Sequence, residues 1–354
     1  MAPLVEVRNL VKDYPLKTGL VATMLGGTRF AHAVSDISLD INPGEIVGVV
    51  GESGSGKTTL GKVLVRLERA TGGKVLFDGK PLTTLHGSAR RDFHRSVQMI
   101  FQDPYDTLNP RLTIFGNVEL PLRYLRLGTG AAERRDRVMR ALELVELNPV
   151  DTFARRYPHQ LSGGQRQRVA IARALIVEPR FLVADEPVSM LDVSIRAGVL
   201  NLLKRLNSEL GIAMMLITHD LTTAYYLSHR IAVMYLGKVV EIGPGAALIG
   251  HPVHPYTRLL LESAPDLMRG AADRPPLGGE TANAITPPAG CRFAPRCPLV
   301  LDACRRVDPP LLPADSGREV ACRRAAELLS GHADIDVPEQ EQEQEQEQEQ
   351  EQEP

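Results

Sequence analysis

The nine residues "GESGSGKTT" at positions 51–59 have the types and spacing of a phosphate cradle. Gly51, Gly56, Lys57 and Thr58 fit G-x-x-x-x-G-K-[ST], with Glu52, Ser53, Gly54, Ser55 and Thr59 completing the stretch. Glycines let backbone N–H groups curl around phosphate oxygens at a helix N-terminus. A lysine in that place sets a point charge against the β and γ phosphates, and a threonine hydroxyl reaches Mg²⁺. The stretch follows the apolar run "EIVGVV" (45–50) and precedes the amphipathic "TTLGKVLVRL" (58–67), the strand and helix this motif requires.

Three further residues each follow an apolar run of strand character. Gln102 follows "VQMIF" (97–101), Glu186 follows "FLVAD" (181–185), and His219 follows "AMMLIT" (213–218). Ligands collect at the C-terminal edge of open parallel sheets, so the three polar groups are expected at one place. Singly, Gln102 would be an ordinary surface residue and His219 a hydrogen-bonded structural histidine; together they make a site. Asp185 suits Mg²⁺ held through water, and Glu186 beside it suits a general base for an attacking water.

"LSGGQRQRVAIARAL" (161–175) adds a second cradle. Ser162, Gly163, Gly164 and Gln165 open a helix whose apolar face includes Val169, Ala172 and Leu175, so backbone amides are offered to an anion. A single phosphate loop needs no second cradle on its own subunit. The pair makes sense if two chains meet head to tail and each completes the other's γ-phosphate site.

All four cysteines lie close together: Cys291, Cys297, Cys304 and Cys322, spaced C-x5-C-x6-C-x17-C. That spacing matches neither zinc knuckles nor common ferredoxin runs, so a metal, a cluster, free thiols and disulfides all stay open. Arg292, Arg296, Arg305, Arg306, Arg323 and Arg324 flank them. Such basic neighbours are expected to favour thiolates and to balance an anionic metal site. A four-thiol staple would suit a module too small for its own core.

The elements that must position these groups read as α/β. "VEVRNLV" (5–11), "AVSDISLDI" (33–41) and "KVLFDGK" (74–80) are expected as antiparallel strands, the last ending in an Asp-Gly turn. The four continuously apolar runs read as parallel strands buried on both faces. An Arg-rich helical segment is expected over roughly 118–158, and a Pro-rich irregular texture begins after 250. The chain of 354 residues is 43% hydrophobic and 24% charged, globular in composition and long enough for two or three domains. No apolar run approaches the roughly 18 residues of a membrane span. The opening "MAPLVEVRNL" lacks a secretion signal, so the cytoplasm and reduced thiols are expected. Residues 339–353 alternate Glu and Gln; without their eight negative charges the net −2 becomes +6. The tail is expected to be disordered, and a diffuse +6 implies no nucleic-acid surface.

The order "GESGSGKTT", Gln102, "LSGGQ", "LVADEP", "SMLD" and "THD" resembles the ATP-binding subunits of ABC transporters over about residues 4–245. The resemblance implies that Tyr14, as the aromatic just after the first strand, stacks on adenine. It implies that Gln102 is the lid-loop glutamine sensing Mg²⁺ and the membrane partner, that Asp192 bridges two subunits, and that His219 contacts the γ-phosphate. Met190 stands where the family usually has alanine. "YPHQLSGGQRQRVAIARAL", "HPVHPYTRLLLESAPD" (251–266), the stretch 15–34 and the cysteine region are similar to the oligopeptide/dipeptide importer branch. In that branch the cysteines imply a [4Fe–4S] cluster, with Zn²⁺ as the alternative.

The expected fold is an ABC ATPase domain over 1–250, with a mixed sheet core, an antiparallel β subdomain and a helical signature subdomain (about 103–175). A cysteine-containing module over 251–337 and the Glu-Gln tail over 338–354 follow. The expected function is ATP hydrolysis powering peptide import, at the cytoplasmic face of the membrane. Other solutes (an oligosaccharide, a metal chelate) or a non-transport role are the alternatives. Implied partners are a second ATPase chain, with a heterodimer favoured, two permease subunits and an extracytoplasmic solute-binding protein.

Overall fold

The computed structural model describes residues 2–16, 29–262, 285–315 and 317–330. The Glu-Gln tail and parts of the stretches 15–34 and 251–266 lie outside the described residues. In chain order the strands are β1 (Val5–Pro15), β2 (Phe30–Ile41), β3 (Ile46–Val50), β4 (Gly72–Phe77), β5 (Lys80–Pro81), β6 (Val97–Ile100), β7 (Phe181–Asp185), β8 (Ala213–Thr218), β9 (Arg230–Tyr235), β10 (Lys238–Pro244), β11 (Leu312–Asp315) and β12 (Arg318–Val320).

Two sheets form. The antiparallel one has the order β2-β1-β4-β5, and the eight-stranded one runs β11-β12-β10-β9-β3-β8-β7-β6. Strands β9, β3, β8, β7 and β6 are mutually parallel, and β10, β12 and β11 continue the sheet antiparallel. Every residue of β3, β7 and β8 is buried, as their unbroken apolar character requires. Their side chains still alternate between faces. Leu182, Ala184, Met214 and Leu216 pack with the helices Ile114–Tyr124, Ala131–Leu144, Gly163–Leu175 and Val193–Leu210. Phe181, Val183, Met215 and Ile217 face the antiparallel sheet and the helix Lys57–Leu64.

Turns set two registers. Asp78 and Gly79, at φ 52° and 72°, join β4 to β5 as expected. Leu236 and Gly237, at φ 44° and 84°, turn β9 into β10 without an Asn-Gly or Asp-Gly signal.

The chain beyond residue 250 extends the ATPase sheet: β12 pairs with β10 through Glu241↔Val320 and Ile242↔Glu319. Glu241 is fully buried in β10, and its carboxylate accepts the amides of Val253 at 3.0 Å and His254 at 2.9 Å. Burial pushes this carboxyl up, opposed by those amides and by Arg318, 4.0 Å away. Glu241 therefore pins the start of the C-terminal segment. Glu241→Ala leaves two buried amides without their acceptor and should lower the stability of the full chain by about 2–4 kcal/mol. Glu241→Gln keeps a carbonyl oxygen there and should cost about half as much. Urea unfolding midpoints check this; equal stability of all three proteins would contradict it.

Candidate active site

The phosphate loop links β3 to the helix Lys57–Leu64, and its glycines are there for steric reasons. Gly56 has φ 98°, and a Cβ on it would lie 2.0 Å from the Ala33 carbonyl of β2. The antiparallel sheet thus braces the loop from outside. Lys57 is buried, and its ammonium donates to the carbonyls of Gly51 at 2.7 Å and Glu52 at 2.8 Å. Burial lowers its pKa, against the opposing pull of Glu186, Asp185 and Glu52. Ser55 is buried and Ser53 exposed, while Thr58 and Thr59 are half-buried.

The Thr58 hydroxyl donates to Asp185 Oδ1 at 3.0 Å, bringing the loop onto the end of β7. Burial pushes the Asp185 carboxyl up; the Thr58 bond opposes this and the charge of Glu186 adds to it. Next in the chain, Glu186 has φ 45°, a left-handed conformation rare for a residue with a side chain. Its amide donates to the Ile217 carbonyl at 2.8 Å. Gln102 Nε2 donates to Glu186 Oε2 at 3.2 Å, and His219 Nδ1 lies 3.1 Å from Glu186 Oε1. The three strand ends therefore meet on one carboxylate. Asp220, next to His219, is a helix cap accepting the amides of Thr222 and Thr223.

Ser162 and Gln165 form a reciprocal cap on the helix Gly163–Leu175, each side chain bonding the other's backbone amide at 3.3 and 3.1 Å. The amide of Gln165 is thus satisfied within its own turn, in contrast to a cradle with every amide bare. Gly164 allows close packing, since a Cβ there would lie 2.4 Å from Ile195 Cγ2. Asp192 is exposed and starts the helix Val193–Leu210 without a side-chain cap. Met190, the departure from the family pattern, is 63% exposed, so it leaves the core undisturbed. Tyr14 lies inside β1, opposite Ala31, with the Lys12 ammonium 4.5 Å from its ring.

Cys291, Cys297, Cys304 and Cys322 are free thiols, half-buried, and line one small void with His254 and Phe293. The Cys291 amide donates to the Cys304 carbonyl at 2.7 Å. The flanking arginines do not favour thiolates as expected. Burial pushes the Cys297 thiol up to about 12 and the Cys322 thiol up to about 11, and raises Cys291 as well. Burial is the main cause, and three of the six guanidiniums bond elsewhere: Arg292 donates to the Leu236 carbonyl, Arg296 to Glu52, and Arg324 to Glu327. Among the described residues no group of three or more His, Cys, Asp or Glu is arranged to hold a metal ion. Nor is any helix among them long and apolar enough to cross a membrane.

Two contacts to the phosphate loop have no signature in the sequence: Arg296 donates to Glu52, and the Tyr256 hydroxyl accepts the Glu52 amide at 2.8 Å. Residues more than 200 positions apart carry no local signal of meeting.

The profile of the family described as "ABC transporter" matches residues 34–189, and "Oligopeptide/dipeptide transporter, C-terminal region" matches residues 240–304. A probable peptide ABC transporter ATP-binding protein of Sinorhizobium fredii is 44% identical, over 93% of this chain and 92% of its own. A putative peptide import ATP-binding protein of Brucella ovis is 45% identical, over 91% of this chain and 98% of its own. Among solved structures, the dimeric ATP-binding cassette MJ0796 in a post-hydrolysis state with ADP and Pi is 35% identical, with a TM-score of 0.58. It covers 68% of this chain and 98% of its own. The cbiO1 subunit from Clostridium perfringens is 28% identical with a TM-score of 0.60, over 71% of this chain and 92% of its own. With its phosphate loop, signature helix and acidic strand end in one fold, the chain belongs to the ATP-binding subunits of ABC transporters and carries the C-terminal region of the oligopeptide/dipeptide branch.

Proposed function

We propose that this chain hydrolyses ATP to power uptake of oligopeptides or dipeptides through a multi-subunit importer, bound peripherally at the cytoplasmic face of the membrane. The observation that carries the catalytic part is the meeting of Gln102, Glu186 and His219 one residue beyond the Thr58–Asp185 contact. The peptide substrate is supported by the C-terminal region and by the names of the relatives, which match over nine-tenths of the chain. The working unit pairs residues 1–250, the ATPase, with the same domain of a second and different chain. Two permease subunits and an external solute-binding protein complete the importer.

In this reading Lys57 turns from the loop carbonyls to the β and γ phosphates, and Tyr14 packs on the adenine. The backbone amides between Gly51 and Thr59 take the phosphate oxygens. Thr58 and Asp185 would hold a Mg²⁺, which would supply neutralisation of phosphate charge, and Gln102 would sense it. Glu186 takes a proton from water as the water oxygen bonds to the γ-phosphorus and the bond to the β-phosphate oxygen breaks. His219 orients Glu186 and contacts the γ-phosphate. Ser162, Gly163, Gly164 and Gln165 serve the partner's nucleotide, and Asp192 bridges the subunits.

Cys291, Cys297, Cys304 and Cys322 would be the residues to hold a [4Fe–4S] cluster, which takes one thiolate per iron, and the support for this is that all four line one void. Zinc, the alternative, needs four ligands converging on one point. The cluster would supply a structural cross-link, since phosphoryl transfer uses no electron carrier. Loading it requires the raised thiols to release their protons.

Glu186→Gln should keep Mg-ATP binding while lowering hydrolysis by roughly 10²- to 10⁴-fold, the contribution of a general base. Near wild-type turnover in the assembled complex would assign the base elsewhere. Ser162→Arg should spare ATP binding by the isolated subunit and abolish nucleotide trapping at the partner's phosphate loop. Trapping lost only at the variant's own loop would contradict the head-to-tail site. Protein prepared without oxygen should be brown, with about four iron and four sulfide per chain, and Cys297→Ser should lose both. One zinc per colourless chain would move the site to the alternative.

A further inference from the structure

Glu52 puts a carboxylate into a loop whose task is to receive a polyphosphate. It is held at three points. Its carbonyl takes Lys57, its amide donates to the Tyr256 hydroxyl, and both its carboxylate oxygens lie 3.0 Å from Arg296 Nη1. Both outer holds come from the C-terminal region, which no phosphate-loop motif includes. Tyr256 is fully buried in the helix Pro255–Glu262, its ring centroid 4.6 Å from that of Tyr235 and 5.5 Å from that of Phe293. Arg296 ends the short turn Ala294–Arg296, directly before Cys297, and its side chain is only 10% exposed. A guanidinium keeps its charge in proteins, so Arg296 faces the Glu52 carboxylate as a fixed cation.

We infer that Arg296 and Tyr256 are positioning residues for ATP binding: they fix Glu52 and neutralise its carboxylate so that the loop can accept an anionic polyphosphate. Without Arg296 the carboxylate stands uncompensated beside the incoming phosphates, and like charges at such range repel strongly where water is partly excluded. Tyr256 fixes the peptide unit whose carbonyl holds Lys57. The C-terminal region therefore acts on nucleotide affinity and not on the chemical step, since neither side chain bonds to Asp185, Glu186 or His219 among the described contacts. This inference rests on the phosphate loop being the nucleotide site.

The test uses the full chain, with Mg-ATP titrated by calorimetry and turnover measured in the assembled complex. Arg296→Met should bind Mg-ATP about tenfold more weakly, the effect of one added like charge. Its kcat at saturating ATP should change less than about twofold, since uniform binding alone is lost. The affinity loss should shrink as salt is raised. Glu52→Gln combined with Arg296→Met should recover most of the affinity, because no carboxylate is left to neutralise; a loss from general unfolding would not be rescued in this way. Unchanged affinity in Arg296→Met, or no recovery in the double variant, overturns the inference. Should Arg296→Met fold poorly, Tyr256→Phe decides, because it keeps the ring and removes only the acceptor of the Glu52 amide. About threefold weaker binding is expected there, and wild-type affinity would overturn the inference. Lys57→Ala separates the two levels: if it binds Mg-ATP like wild type, the phosphate-loop reading itself fails.

Discussion

A strand buried on both faces can offer polar groups only where it ends. Five parallel strands, β9, β3, β8, β7 and β6, lie side by side, so every polar residue that closes one of them emerges on the same edge. Lys57, Asp185, Glu186, Gln102 and His219 meet for that reason. The register β3↔β8↔β7 sets Val49, Ile217 and Asp185 at one level. The site is therefore as rigid as the sheet core beneath it, where Val183, Met215 and Ile217 are fully buried.

Charge at that edge is arranged with opposite environments on neighbouring residues. Asp185 is buried with its carboxyl pushed up and bonded by Thr58, so it suits cation binding once a positive charge arrives. Glu186, one residue later, turns out through a left-handed backbone toward Gln102 and His219. An ordinary strand end would leave the two adjacent carboxylates on opposite faces, and the left-handed turn at Glu186 instead brings its carboxylate to the edge where Gln102 and His219 lie. Lys57 stays charged-capable inside this acidic setting because the loop carbonyls hold it while three carboxylates oppose its desolvation.

The C-terminal region enters this arrangement from the far side. Its strands β11 and β12 continue the sheet, and Glu241 pins its first turn. The aromatic cluster of Tyr235, Tyr256 and Phe293 carries it onto the phosphate loop. The void lined by the cysteines is walled by that same Phe293, so the sulfur groups and the nucleotide loop share a support.

The sequence by itself determined the chemistry-bearing elements. "GESGSGKTT" demands its glycines because Gly56 has no room for a Cβ, and "FLVAD" and "AMMLIT" read as buried strands because every position of both is buried. Their end residues were legible because parallel strands have one place to put polar groups. Strands β9 and β10 were not, since a Leu-Gly turn carries no hairpin signature and the strands pair over residues that resemble any apolar run. Whether the arginines beside the cysteines serve the sulfurs was also beyond the sequence. Side-chain charge acts through distance, and Arg292, Arg296 and Arg324 spend theirs on oxygens at Leu236, Glu52 and Glu327. The hold of Arg296 and Tyr256 on Glu52 spans more than 200 residues. Only the tertiary fold could decide it, because loop closure over that length leaves no local pattern while burial and direction of the guanidinium depend on every layer packed between.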